Sequence, residues 1–477
     1  MNPFSTVHEL KQALERKKIS ATELATLYQE RIKKYNGQLN AVIEGFNDVT
    51  PTASTGLLGG IPYLAKDNIC QEGRITAAGS RILSNYRAPY SATVIKRLNT
   101  AGAHSLGRTN MDEFGMGGSG EFSSYGATKN PWDLTRSPGG SSSGSAAAVA
   151  AGLVPFALGT ETGGSVRTPA SYTNLVGMYP TYGLHSRYGV IAFTSSTDQV
   201  GVLTRTVADN ALVATALSGA DAADATSIQI APKDYTKALT GKLPAGFTIG
   251  LLKEAVDAKG MDSAVKERFD AAVQTLEKMG ATVKVVDLQS LQYGIALYFI
   301  ISRAEAASNL YRYDGTLYGK RASQASNLAE MYLNTRSQGF GDEVKRRILV
   351  GNYVLSAGHK DAYYNKAQQI RNQLRAEFEK AFNDVTVLMS PTTPTLPCKL
   401  NSVVNDPIAM YLADYYTVPN CIIGTPAISV PAGFSPEGLP VGVQFFGPRL
   451  SEELLFQVAH AFEAATGYYK TTPKDFA

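Results

Sequence analysis

Three features of this sequence predict an α/β fold with a mixed central β-sheet covered by helices on both faces. Apolar runs of strand length alternate with amphipathic helical stretches along the whole chain, without an internal repeat. Residues 247–288 read as a complete β-α-β unit: a strand over Phe247–Leu252, a helix over Asp262–Met279 and a strand over Ala281–Leu288. The helix carries the apolar stripe Val265, Phe269, Val273 and Leu276. Finally, only 18% of the 477 residues are charged while 44% are hydrophobic, which implies much buried surface, in a large core or against partners.

The elements follow in order. Thr6-x-x-Glu9 and Ser20-x-x-Glu23 are capping boxes, each opening an amphipathic helix within a helical lead over residues 1–36. Strands are expected over 40–46 and from Gly59 into the polar residues Lys66-Asp67-Asn68, followed by a helix over 92–103 and a strand over 103–107. Residues 109–140 show little periodicity and many glycines; a loop of that length is either disordered or a functional cover. Residues 174–196 read as irregular and Thr206–Leu217 as a helix. Residues 300–327 and 343–382 read as largely helical. Strands over 385–389 and 427–430, a hairpin turn at Ser435–Gly438 into a strand over 441–446, and a helix over 452–465 close the chain. The whole reads as one domain: a core over about 40–215 and 385–470, interrupted by an inserted region over about 245–382.

Several function classes are excluded. The net charge of +4 is spread without a Lys/Arg block, so no dedicated nucleic-acid patch is expected. Cys70, Cys398 and Cys421 lie too far apart for a metal knuckle or redox pair, and the five histidines are scattered, so no metal site is expected. No GxxxxGK[ST] motif is present, and Gly115-x-Gly117-x-x-Gly120 neither follows a strand nor opens a helix, which removes nucleotide binding by either motif. The N-terminal segment has no export or transit character, and the longest apolar run, 146–158, is short and broken by Gly152 and Pro155. The expectation is a soluble, cytoplasmic protein.

The chemistry concentrates in Ser137–Ser171, where two glycine–serine turns flank a small-residue helix and a short buried strand. A flexible linker would not continue into an alanine helix, an apolar strand and a second Gly-Gly-Ser. Thr162-Gly163-Gly164-Ser165 is expected to open a helix, presenting backbone N–H groups that can stabilise an oxyanion. Gly140–Gly144 also satisfies the GxSxG nucleophile elbow. That motif needs a preceding strand, which Pro131 and Pro138 forbid, and a late histidine, for which His460 lies mid-helix. A serine nucleophile without histidine needs another base. Lys66, at the end of a buried strand, is suited to it, because burial lowers a lysine's pKa toward neutrality.

These motifs resemble the amidase signature family: Lys66 in AKDN, GGSS at Gly139–Ser142 and TGGS at Thr162–Ser165, in that order and at similar spacing. The resemblance implies the amidase signature fold and a Ser–Ser–Lys triad. Ser165 would be the nucleophile that is acylated, Ser141 (held by a cis peptide bond) the proton relay and Lys66 the general base. The N–H groups of Thr162, Gly163, Gly164 and Ser165 would line the oxyanion hole.

Nearly the whole chain is further similar to one branch of that family, the glutamine-hydrolysing components of tRNA-dependent amidotransferases. The similarity runs through 107–114, 128–134, 341–348, 353–358 and 411–414. It implies that glutamine is hydrolysed and that ammonia passes to a B subunit, which uses ATP and Mg2+ to amidate Glu-tRNA(Gln) or Asp-tRNA(Asn). A small C subunit would brace the two, and this chain itself would bind no cofactor. By the same similarity Arg346 would take the substrate carboxylate and Asp414 its ammonium, with Tyr298 lining the pocket. Ser143, Tyr179, Leu184, Phe122 and Thr425 depart from the branch's pattern. A free-standing amidase acting on another small amide and a catalytically degenerate scaffold are the competing readings.

Overall fold

The computed structural model describes residues 1–48, 51, 55–402, 404 and 406–477, with the side chains of 407–409 left aside. Eleven strands form one mixed sheet: β1 (Val42–Gly45), β2 (Pro62–Lys66), β3 (His104–Thr109), β4 (Phe156–Glu161), β5 (Val176–Tyr179), β6 (Gln199–Thr204), β7 (Thr248–Leu252), β8 (Thr282–Val286), β9 (Val387–Pro391), β10 (Ala427–Phe434) and β11 (Pro440–Phe446). Their order is β1-β3-β2-β4-β6-β5-β10-β11-β9-β7-β8. β2 runs parallel to β3 and β4, and β7 parallel to β8 and β9; the central pairings from β4 through β6, β5 and β10 to β11 are antiparallel. Every residue of β2, β4, β6 and β11 is buried, so helices cover both faces of the sheet there, as the low charge content requires.

The helices are α1 (Val7–Glu15), α2 (Ala21–Leu39), α3 (Thr93–Thr100), α4 (Ser143–Ala150), α5 (Arg167–Tyr172), α6 (Val207–Leu217), α7 (Lys253–Asp257), α8 (Ser263–Lys278), α9 (Gly294–Asn309), α10 (Leu328–Gly339), α11 (Asp342–Leu355), α12 (Lys366–Ala381), α13 (Pro407–Leu412), α14 (Val418–Ile423) and α15 (Glu452–Thr466). Both capping boxes form: the Thr6 and Ser20 hydroxyls accept from the N–H groups of Glu9 and Glu23, whose carboxylates accept in return. None of the described helices is long and apolar enough to cross a membrane. The β-α-β unit of β7, α8 and β8 extends the same sheet through β9.

Three expectations need correction. Residues 174–196 are not wholly irregular: β5 lies there, and β6 follows. Glycine hides both strands, since a Cβ on Gly177 would meet Ala170 Cβ at 2.6 Å and one on Gly201 would meet the Met178 carbonyl at 2.5 Å. The sheet therefore requires small residues where a side-chain pattern would have announced strands. Second, the helix expected over 300–327 ends at Asn309. Gly315, at φ +82°, and the Asp314 carboxylate, which accepts from the Thr316 N–H, turn the chain before α10 starts. Third, Thr162–Ser165 does not open a helix directly, because α5 begins two residues later.

Candidate active site

Lys66 ends β2, between the parallel neighbours β3 and β4, and is fully buried. Its Nζ lies 2.7 Å from Ser141 Oγ and 2.9 Å from Ser142 Oγ, and donates to the Thr160 carbonyl at 3.0 Å. An ammonium would donate to all three. A neutral amine donates to two of them and turns its lone pair to the third, which makes it an acceptor for the Ser141 proton. Burial brings the lysine down to about 7, against the pull of the carboxylates of Asp112, Asp198 and Glu161. The neutral form is therefore available near neutral pH.

Ser141 and Ser142 stand at the head of α4, after a cis peptide bond between Gly140 and Ser141. The backbone N–H of Ser142 donates to the Ser165 carbonyl at 3.1 Å, which ties the two serine turns together. The Ala-rich helix α4 is buried on every side, and its small side chains let it contact β2, β3, β4 and β6.

The Thr162–Ser165 turn is held from both ends. Glu161 accepts from the backbone N–H groups of Val166 and Arg167 at 2.9 and 3.0 Å, and pairs with the Arg167 guanidinium at 2.5 Å. Arg167 in turn donates to Gln444 and to the Thr417 carbonyl, and the Thr417 hydroxyl donates to the Gly163 carbonyl at 2.7 Å. The Thr162 hydroxyl donates to Asp198 at 2.7 Å. Among the described residues, the N–H groups of Gly163, Gly164 and Ser165 donate to no protein acceptor, and the Ser165 hydroxyl makes no hydrogen bond. Three N–H groups free to converge beside an unengaged hydroxyl can receive developing negative charge. With α5 only six residues long, those N–H groups, rather than a helix dipole, supply the polarity.

A second set of side chains closes over this turn. A Cβ on Gly163 would lie 2.7 Å from Tyr298 Cζ, so the α9 tyrosine covers the glycine directly. A Cβ on Gly164, which sits at φ +147°, would lie 2.7 Å from Asp414 Oδ1. Burial, reinforced by Glu161, raises the Asp414 carboxyl to about 8, while Arg347 acts in the opposite sense. Tyr298 and Asp414 thus lie against the two glycines that precede Ser165.

Arg346 does not join them. Its side chain is 49% exposed, paired with Glu343 at the rim of an opening lined by Arg81, Glu113, Glu121 and Phe122. Arg347 is the buried neighbour at 2%, with Nε on Glu343 at 2.7 Å and its charge felt by both Tyr298 and Asp414. Adjacent residues on α11 point about 100° apart, so packing against α9 selects one arginine and turns the other outward. Three consecutive basic residues give sequence reasoning no way to choose. Sequence reasoning gave no role to Ser142 beyond its place in GGSS and missed Glu161, which adjoins TGGS, as well as Asp112 and Asp198, which lie far from every motif and carry no sequence signal.

His460, on α15, accepts from the Gly241 N–H, and residues 130–142 form turns and isolated bridges rather than the strand an elbow needs. Four of the five departures are accommodated, whereas the Thr425 hydroxyl is buried without a hydrogen-bond partner among the described residues. Ser143 donates to Thr128, Tyr179 donates to the Thr197 carbonyl at 2.8 Å and Leu184 packs in the core. The Phe122 N–H donates to Asp112, and Thr425 lines a separate cavity of about 730 Å3 with Arg371 and Phe378. Among the described residues no group of three or more His, Cys, Asp or Glu is arranged to hold a metal.

Residues 23–456 match the family model described as Amidase. The chain belongs to the amidase family. It is 48% identical over 481 residues to the A subunit of the glutamyl-tRNA(Gln) amidotransferase of Streptococcus pneumoniae (strain ATCC 700669 / Spain 23F-1), covering 99% of this chain and 98% of that one. The A subunit of the same enzyme from Trichodesmium erythraeum is 46% identical over 489 residues, covering 99% and 100%. Among solved structures, the corresponding glutamyl-tRNA(Gln) amidotransferase chain from Thermotoga maritima superposes with a TM-score of 0.82 at 39% identity, over 97% of this chain and 94% of that one. A 6-aminohexanoate cyclic dimer hydrolase complexed with substrate superposes with a TM-score of 0.88 at 25% identity, over the full length of both. The fold is thus the amidase signature fold, shared by amide hydrolases of differing substrate.

Proposed function

We propose that this chain is the glutaminase component of a tRNA-dependent amidotransferase, releasing ammonia from glutamine for a partner that amidates Glu-tRNA(Gln) or Asp-tRNA(Asn). The observation that carries the reading is a buried cation, Arg347, and a buried carboxyl, Asp414, beside the turn bearing Ser165. An amide hydrolase for neutral substrates has no use for a buried cation and a buried carboxyl at one end of its pocket. An amino acid's carboxylate and ammonium need both. The full-length similarity to A subunits of glutamyl-tRNA(Gln) amidotransferases supports the same reading.

The contact of Lys66 Nζ with Ser141 Oγ supports the relay that the family resemblance implies. Neutral Lys66 takes the Ser141 proton as Ser141 takes the proton of Ser165, and Ser165 Oγ attacks the amide carbon. The oxyanion forms against the N–H groups of the Thr162–Ser165 turn. On collapse the proton on Lys66 returns through Ser141 to the amide nitrogen, ammonia leaves, and Ser165 carries the glutamyl ester. Water, deprotonated by the same relay, then releases glutamate. Arg347 takes the place of Arg346 as the group for the carboxylate, Asp414 receives the ammonium and Tyr298 walls the pocket. ATP and Mg2+ are used by the B subunit, with a C subunit bracing the complex, and this chain needs no cofactor of its own.

The test is ammonia release from glutamine by the full chain co-purified with candidate B and C subunits, with and without charged tRNA and ATP. The expected result is release that rises when Glu-tRNA or Asp-tRNA and ATP are added. Release indifferent to both, or activity confined to other amides, would make the chain a free-standing amidase.

A further inference from the structure

Arg303 is one of the largest fully buried side chains in the protein, and its charge is unneutralised. It lies on α9 one turn beyond Tyr298, and its Nη1 donates to Ser302 Oγ at 2.8 Å. Its Nε and Nη2 have no partner, and among the described residues no carboxylate pairs with it. What surrounds it is aromatic: the guanidinium carbon lies 4.1 Å from the Phe299 ring centroid, 4.7 Å from that of Tyr411 and 5.7 Å from that of Tyr298. Aromatic faces compensate a cation only partly. Burial, and then the like charge of Arg347, bring Arg303 down to about 10, so it remains a cation at neutral pH.

Its neighbours connect it to the substrate-reading residues. The Tyr411 hydroxyl donates to Glu343 Oε1 at 3.0 Å, the same oxygen that Arg347 Nε grips at 2.7 Å. The Arg347 guanidinium in turn lies 5.6 Å from the Tyr411 ring centroid. Tyr411 is thus stacked by Arg303 on its face while its hydroxyl orients the carboxylate that orients Arg347. The charge count points the same way. Glu343 neutralises one of the two buried arginines, and Asp414, raised to about 8, is mostly uncharged at neutral pH until a cation reaches it. The Arg347 end of the pocket therefore carries an excess of positive charge.

We propose that Arg303 is a positioning residue for the substrate's carboxylate: an unneutralised second cation behind Arg347 that keeps this end of the pocket positive and clamps Tyr411 and Glu343 against Arg347. Arg303 does not touch the substrate. It selects amides that carry an anion over amides that do not, through field and orientation. The inference rests on the amino-acid amide reading above.

The experiment compares three substrates in the assembled complex: glutamine, 4-aminobutanamide (amine but no carboxylate) and glutaric acid monoamide (carboxylate but no amine). In Arg303→Met, KM for glutamine and for the monoamide is expected to rise about tenfold, with kcat little changed, while KM for 4-aminobutanamide stays within about twofold. Arg303→Lys, which keeps the charge, should restore most of the glutamine KM. Because the comparison is a ratio between substrates on one preparation, partial misfolding of a variant does not alter it. Equal losses on all three substrates, or none on any, would overturn the role of Arg303. A wild-type complex that releases no ammonia from glutamine would instead overturn the functional reading on which the role rests.

Discussion

The proposed catalytic centre and the proposed substrate-reading layer differ in how they are built. Lys66, Ser141 and Ser165 come from three short segments joined through adjacent strands and one helix, and the groups that hold Lys66 and tie Ser142 to Ser165 lie in, or within two residues of, one of the three motifs. The reading layer draws Tyr298, Arg303, Arg347 and Asp414 from α9, α11 and the segment after α13, held by side chain on side chain. In the first region local sequence dictates geometry. In the second, geometry depends on which face of a helix meets its neighbour. Chemistry should therefore fail outright when the first region is changed, whereas changes in the second should shift recognition by degrees.

The largest expected effect is at Ser165. Ser165→Ala should lower glutamine-dependent amidation by about 10⁴-fold or more, since removing a nucleophile disables the whole relay. Amidation driven by added ammonium salt should stay intact in the same complex, because the partner's chemistry does not use this hydroxyl. Loss of both activities would make Ser165 a structural residue and erase the distinction between the two regions.

Lys66 sharpens the comparison through pH. With its pKa lowered to about 7, the neutral base is present above that value and lost below it, so kcat/KM should rise through pH 7 with a slope of one. The stability sign is opposite to that of a salt-bridged lysine. The unfolded chain holds this proton up to about 10.5, so stability rises with pH between 7 and 10.5, and the burial penalty is fully present below 7. Lys66→Met should therefore lower turnover by about 10²–10⁴-fold yet raise Tm, most clearly below pH 7. A variant that loses stability as well as activity at pH 6 would contradict a lysine whose pKa is lowered by burial.

The same contrast sets what the sequence revealed. Lys66, Ser141 and Ser165 were legible because each lies in a motif whose neighbours build its surroundings. The β-α-β unit and both capping boxes were legible because their patterns are local. β5 and β6 were not, because Gly177 and Gly201 answer to the close approach of other elements rather than to strand periodicity. Arg347 was not, because Lys345-Arg346-Arg347 offers the same charge three times and only the contact of α11 with α9 separates them. Arg303 carries no motif at all; the unpartnered state of its Nε and Nη2 exists only in the folded chain.

The paired arginines on α11 give the finest test of the distinction. Arg347→Met removes the buried cation proposed to hold the substrate carboxylate and leaves Glu343 with the half-exposed Arg346 as its cation, so KM for glutamine should rise about 10²-fold while kcat falls less. Arg346→Met removes a half-exposed pair with Glu343, and exposed pairs contribute at most about 1 kcal/mol. Its effect on KM should stay within about twofold. Measuring both variants on glutamine in the assembled complex decides which face of α11 reads the substrate. A large KM effect at Arg346 with a small one at Arg347 would mean that α11 turns when substrate binds, and that recognition is assembled by the ligand rather than built into the packing.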